Sequence, residues 1–363
     1  CIVAGIRYSI DRESQSEGGV TLMSSSRFEI PALCDGGLML SYRCTSECKH
    51  CLYNCSPRQP DQWLSLETAT RACDALAGEG FECSLHIAGG EPMMKPELVE
   101  EVIRLILDNG LELEYVETNG GWVKTFEQAK EEFQRLADAG LRSVLISVSC
   151  FHNEFVPFHK TKMCIKAARE VFGRQNVIVY QQKMYRLLSE MPDDGKHSLD
   201  EFIHFNGLAD HPEVLPRLYG IIPGGRAVTG LRNCYSAFSA ETYADDKCES
   251  RLLGPSHFHI DPEGNLFTGL CAGIVAATVA DLHPEITPET RPIFCRLCEE
   301  GPVGLMKYAE EVCGFTPRED GYVSKCDLCQ HVRQVLHATG DFAELQPDSF
   351  YDELPAVVQA VSA

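Results

Sequence analysis

From Leu38 to Ile222 short apolar runs alternate with amphipathic stretches, and this alternation limits the possible folds more than any other feature of the chain. The strand-like runs are Leu38–Tyr42, Cys83–Ile87, Leu111–Glu117, Ser143–Ser149, Val177–Gln181 and Leu218–Ile222. Helical patterns lie between them at Leu66–Gly78, Pro96–Asp108, Phe126–Ala139, Lys162–Phe172 and Leu199–Leu208. Gly110, Gly140 and Gly173 follow three of these helices, where a left-handed C-terminal residue is expected. Six β/α repeats with apolar, β-branched strands predict an α/β fold built on a parallel sheet. Residues 1–36 read as an irregular polar lead-in, and residues 37–225 as the α/β domain. After ProGlyGly at 223–225 the alternation stops. His257–Gly269 reads as a β-hairpin around a ProGluGlyAsn turn, inside a small cysteine-rich unit over 226–340. Residues 341–363 read as an acidic tail with little core.

Composition removes several classes of function. The 363 residues can bury a full core, and 44% hydrophobic with 23% charged residues is ordinary for a soluble globular protein. No apolar stretch approaches the roughly 20 residues of a membrane helix; Leu270–Ala280, rich in Ala and Gly, is expected to pack inside. Nucleic-acid binding rests on neutralising phosphates. With 32 Lys and Arg against 53 Asp and Glu, net charge −21 and no basic run, a nucleic-acid partner is not expected. The sequence starts at Cys1 without Met and no signal peptide is read in it, so the expected compartment is the cytoplasm. Eighteen cysteines are far too many for ordinary core thiols, and several are paired at short spacing. In a reducing compartment that density points to metal ligation.

The first ligand set is CTSECKHC, with Cys44, Cys48 and Cys51 directly after the first apolar run. Three thiolates in a Cx3Cx2C loop can hold three irons of a [4Fe–4S] cube and leave the fourth open. Electron-transfer clusters and structural zinc usually take four protein ligands. AlaGlyGlyGluPro at 88–92 follows the second run. The two motifs together resemble those of the radical S-adenosylmethionine (radical SAM) enzymes. That resemblance implies a partial (β/α)6 barrel over 37–225, with function at the C-terminal strand ends. It implies that the open iron chelates S-adenosylmethionine, whose one-electron cleavage gives a 5′-deoxyadenosyl radical that abstracts a hydrogen atom from substrate. It further implies that Gly89, Gly90 and Glu91 hold the amino group of S-adenosylmethionine, the glycines admitting close backbone approach. Glu117 and Asn119 in VETNGG, with Ser147 and Ser149, are the expected partners of the ribose hydroxyls. The expected reductant is a flavodoxin or ferredoxin. Read alone, the cysteine loop also suits a zinc knuckle or a ferredoxin-like site; Cys55, four residues later, is either a fourth ligand or an ordinary thiol near the site.

SVSCFHNEF leaves the fourth run and carries Cys150, His152 and Glu154 toward the expected mouth. Some radical SAM epimerases return a hydrogen atom from a cysteine thiol, and Cys150 is placed for that role. A buried structural thiol, and a hydrogen-bonded structural His152, are the alternatives.

Eight further cysteines, at 234, 248, 271, 295, 298, 313, 326 and 329, would suffice for two fully ligated [4Fe–4S] clusters. Cys234, Cys248, Cys271, Cys295, Cys298, Cys313, Cys326 and Cys329 resemble the SPASM and Twitch extensions in having a cysteine before a hairpin, one after it, and later CxxC pairs. The SPASM run Cx2Cx5Cx3C is absent, and Gly264 lies further from Cys271 than the usual spacing. One auxiliary cluster is expected, two at most; the alternative is a structural zinc held by the two CxxC pairs. The whole reads as a radical SAM enzyme acting on a peptide or a small molecule. The competing reading is a non-catalytic iron–sulfur carrier or a zinc-stabilised scaffold, which would need neither the missing fourth ligand nor GlyGlyGluPro.

Overall fold

The protein is described from a computed structural model covering residues 27–82 and 84–356. The lead-in up to residue 26, Cys83 and the chain beyond residue 356 lie outside the described residues. The first half follows the predicted alternation: β1 Cys34–Met39, α1 Leu66–Gly78, β2 Ser84–Ala88, α2 Pro96–Asp108, β3 Glu112–Thr118, α3 Phe126–Asp138 and β4 Val144–Ser147. A short α4 (Cys150–Asn153), α5 (Phe158–Phe172), β5 (Val177–Tyr180), α6 (Gln182–Ser189), α7 (Leu199–Phe205) and α8 (Val214–Tyr219) follow. The helix starts have local causes. Ser65 and Thr125 accept the Thr68 and Gln128 amides at 3.0 and 3.1 Å, and Pro96 opens α2. Gly110, Gly140 and Gly173 all take positive φ, as their places after helices require.

The sixth predicted strand is corrected. Leu218–Ile222 straddles the end of α8 and an irregular turn, and does not enter the sheet. After two short helices, α9 (Ala227–Gly230) and α10 (Glu249–Leu252), the sixth parallel strand comes from the predicted hairpin. β6 (Ser256–Ile260) pairs in parallel with β1 and antiparallel with β7 (Asn265–Phe267), and β8 (Ala277–Thr278) completes the order β5-β4-β3-β2-β1-β6-β7-β8. The sheet therefore runs unbroken past ProGlyGly. The fold is α/β with a parallel sheet, and β1 lies fully inside it, paired on both sides.

α11 (Pro292–Glu299), α12 (Gly301–Cys313), α13 (Lys325–His337) and α14 (Asp348–Asp352) complete the described chain. Among the described residues no helix is long and apolar enough to cross a membrane. The tail was expected to carry little core, and this too is corrected. Leu345, Phe350, Tyr351 and Leu354 are buried in the main core. Glu344, also buried, accepts the Ile293 and Phe294 amides at 2.6 and 3.2 Å and so caps the start of α11. An acidic composition hid a segment whose apolar residues close the back of the cysteine-rich region.

Burial pushes the Glu344 carboxyl up to about 7, and the two amides hold it lower than burial alone would. A carboxyl raised in the folded state favours folding most at pH below its unfolded value of about 4.3, and this contribution is lost as pH rises through about 7. The loss is on the order of 2–3 kcal/mol. Denaturant unfolding at pH 5 and pH 8 should show a smaller drop for Glu344→Gln than for the wild type. Equal drops would mean that this carboxyl is not raised.

Candidate active site

β1 and β2 end side by side, and their pairing continues into the loops beyond. The Gly90 amide donates to the Ser41 carbonyl (2.6 Å) and the Glu91 amide to the Arg43 carbonyl (3.1 Å). A Cβ on Gly90 would stand 1.9 Å from the Arg43 oxygen, so only glycine permits this approach. The approach sets the Gly89–Gly90 backbone against the start of the cysteine loop. Cys44, Cys48 and Cys51 then line one cavity of about 460 Å³ with Gly89, Gly90, Glu117, Asn119 and Ser147, at the C-terminal ends of β1 to β4.

The cysteine loop is held from two sides. Arg226 donates to the Cys48 and Cys55 carbonyls, both at 3.0 Å, and its amide donates to the Cys51 carbonyl at 2.9 Å. Gly225, at positive φ, would place a Cβ 2.3 Å from the Leu52 oxygen. ProGlyGly and Arg226 thus form the clamp behind the loop, a role that sequence reading missed by taking the glycines only as a boundary. From the other side His50 stacks on Phe151 at 4.6 Å, and Lys49 forms an ion pair with Glu154.

The predicted residues divide. Asn119 reaches the cysteine loop, its Nδ2 donating to Thr45 Oγ1 at 3.0 Å while its Oδ1 accepts the Gly121 amide at 2.7 Å. Glu117 lines the cavity, and burial, then the charge of Glu91, push its carboxyl up to about 7. Glu91 does not line the cavity. Its buried carboxylate accepts from Thr118 Oγ1 (2.7 Å) and from the Asn119 (2.7 Å) and Met93 (3.1 Å) amides, tying the β2 end to the β3 end. Ser149 caps α4 and is buried away from the cavity, whereas Ser147 faces it. Cys150 is 1% exposed, belongs to the apolar core and lies outside the cavity wall; its expected place at the mouth falls to His152.

A row of side chains along one wall had no clear sequence signal. Gly37 of β1 stands in register with His86 on β2 and with His259 on β6. A Cβ there would meet His86 Nε2 at 2.4 Å, so its absence lets the two imidazoles meet above it, Nε2 to Nε2 at 3.1 Å. Tyr53 Oη bonds His259 Nδ1 at 2.9 Å and His86 stacks on Tyr115. Burial holds His86 down at about 4, so the pair is neutral at pH 7.

The other cysteines also divide. Cys248, Cys271, Cys326 and Cys329 share a second cavity, while Cys234, Cys295, Cys298 and Cys313 lie outside it. Burial and then the neighbouring thiols push Cys271 up to about 12 and Cys326 up to about 11. Buried thiols that resist ionisation in this way gain from a bound cation, which favours the thiolate. Pairing of CRLC with CDLC around one zinc is corrected: Cys295 and Cys298 sit on α11, buried in the core. Leu52, Ile222 and Leu270 line both cavities and separate them by one layer of side chains. Among the described residues no three side chains converge closely enough for a single metal ion. A cube takes each thiolate at a different corner, so its ligands stand wider apart. The donor sets fit such clusters: Cys44, Cys48 and Cys51 with Cys55 beside them in one cavity, and four thiols in the other.

Residues 38–176 match the model of the radical SAM superfamily. A GTP 3′,8-cyclase of Staphylococcus haemolyticus (strain JCSC1435) is 30% identical over 120 residues, 31% of this chain and 33% of that protein. One of Aquifex aeolicus (strain VF5) is 28% identical over 122 residues, 32% and 35% of the two chains. The match thus spans about a third of the length of these relatives. Among solved structures, BtrN in complex with AdoMet and 2-DOIA aligns over 69% of this chain and 80% of that one, with 12% identity and a TM-score of 0.40. Native anSMEcpe with bound AdoMet and Cp18Cys peptide aligns over 85% and 98%, with 14% identity and a TM-score of 0.39.

Proposed function

We propose that the chain is a radical SAM enzyme whose Cys44, Cys48 and Cys51 hold a [4Fe–4S] cluster. The observation that carries this reading is that the three cysteines share one cavity with the Gly89–Gly90 backbone and Asn119. When bound, the cluster and S-adenosylmethionine supply one-electron cleavage to a 5′-deoxyadenosyl radical, which takes a hydrogen atom from substrate. The chain's own groups position the reactants. Gly89 and Gly90 leave their backbone open to the amino group of the sulfonium ligand. Asn119, Ser147 and Glu117 offer hydrogen bonds for hydroxyls. Glu91 acts indirectly, by fixing the strand ends that carry these groups. A flavodoxin or ferredoxin would supply the electron. Anaerobically reconstituted protein with dithionite should convert S-adenosylmethionine to 5′-deoxyadenosine; protein loaded with iron that forms none would refute the reading.

The second cavity supports one auxiliary [4Fe–4S] cluster at Cys248, Cys271, Cys326 and Cys329, within the cysteine-rich residues 226–340. Four protein ligands leave no open iron, which suits electron transfer rather than substrate chelation.

For the substrate we favour a peptide or small molecule without phosphates. Of all Asp, Glu, Lys and Arg side chains, only Glu117 is among the described residues lining the main cavity. Phosphate recognition draws on Arg and Lys. The GTP of the cyclase relatives therefore finds no matching charge in the wall, which offers neutral imidazole, phenol and amide groups instead. Incubated with GTP, S-adenosylmethionine and dithionite, the enzyme should leave GTP unconsumed. Its conversion would overturn this substrate reading while leaving the radical chemistry standing.

A further inference from the structure

α13 presents Cys326, Cys329 and Arg333 to the second cavity. Arg333 is 5% exposed, in contrast to the surface position usual for this side chain. Its Nη1 donates to the Ala272 carbonyl at 3.0 Å and to Tyr351 Oη at 2.9 Å, and Tyr351 in turn bonds the Gly273 carbonyl. These bonds fix the guanidinium beside the chain that follows Cys271. Gly273, at positive φ, leaves it room, since a Cβ there would stand 3.0 Å from Nη1. The guanidinium lines the same cavity as the Cys329 thiol, and its Nε is buried with no partner among the described residues. Among the described residues no carboxylate lines this cavity, and its charged members are Arg333 and Lys325. A fixed cation is thus aimed at four thiols and is not neutralised by an acid there.

We propose that Arg333 sets the reduction potential of the auxiliary cluster, raising it by the fixed positive charge it places beside the four cysteines. The proposal rests on the reading of Cys248, Cys271, Cys326 and Cys329 as one [4Fe–4S] site. A cube with four thiolates carries net negative charge, and one-electron reduction adds another unit in a buried place. A nearby cation stabilises both states but the reduced one more, so the potential rises. Arg333 is a positioning and tuning residue here: it shares the cavity of the cluster ligands and does not line the main cavity.

The test uses the full chain with Cys44, Cys48 and Cys51 replaced by Ala, so that only the auxiliary cluster remains, and reads its reduced fraction by EPR at fixed ambient potentials. Arg333→Gln and Arg333→Met should each lower the ratio of reduced to oxidised cluster about tenfold, about 59 mV for a one-electron couple. Arg333→Lys, which keeps the charge, should restore most of that ratio. A neutral variant with full iron and the wild-type ratio would overturn the proposal. So would a Lys variant that falls as far as Gln, because packing rather than charge would then be responsible. Should neither neutral variant assemble its cluster, the unsubstituted Arg333 protein still decides. A guanidinium facing the cavity brings exchangeable protons close to the reduced cluster, and absence of any proton hyperfine signal that is lost in deuterated water would overturn the proposal. If the starting protein holds no iron–sulfur cluster at all, it is the four-cysteine site that fails, a result distinct from a cluster with an unmoved potential.

Discussion

Alanine at Cys44, Cys48 and Cys51 together should reduce formation of 5′-deoxyadenosine to background, while about four irons per chain stay bound. The effect is expected to be total, because each thiolate holds a different corner of the cube and Cys55, which lines the same cavity, could replace at most one of the three. Cys55, the nearest spare thiol, has its S–H shared with Cys51, and this hydrogen bond together with burial raises its own thiol well above the ordinary range. It is buried beside the loop that Arg226 pins from behind. Iron analysis and product chromatography on the same anaerobic sample check both halves of the expectation. Cleavage at the wild-type rate in the triple variant would place the reactive cluster elsewhere. Loss of all iron would instead couple the second site to the first.

The features that could be read from the chain are those whose causes are local. α1 and α2 begin and end where Ser65, Pro96 and the following glycine turns dictate, and the helical periods between are unambiguous. The three-cysteine loop and GlyGlyGluPro were legible because each is a contiguous motif placed just after a strand. What escaped reading depends on distant partners. β1 starts at Cys34 rather than Leu38, because Gly36 and Gly37 disguise a strand. Those glycines leave space for Phe258 and His86, residues far along the chain that no local propensity reveals. β6 was recognised as strand-like, but its parallel pairing with β1 joins segments separated by most of the protein. Leu218–Ile222 misled for the opposite reason. A short apolar run reads equally as strand or buried helix end, and here Tyr219, Ile221 and Ile222 all line the cavity from the end of α8 and the turn after it. Cys150 looked accessible from its position after β4, yet α4 turns its thiol into the core and presents His152 instead.

The same contrast between spacing and packing separates two chemically identical motifs, CRLC and CDLC. Alanine at Cys326 and Cys329 should remove about four irons per chain, whereas alanine at Cys295 and Cys298 should remove none. In α13 the first pair faces Cys248 and Cys271 across the second cavity, with Cys326 in the first helical turn. The positive end of the helix there favours thiolate over thiol, and so favours ligation. In α11 the second pair is turned inward: Cys295 and Cys298 are 0% and 1% exposed in the main core. Neither lines the second cavity. Iron and zinc measured on each double variant, beside the unsubstituted protein, distinguish the possibilities. Equal loss from both variants would restore a site shared by the two motifs, and zinc in place of the lost iron would make the cavity a structural zinc site. Retention of all metal after loss of Cys326 and Cys329 would refute the four-cysteine site.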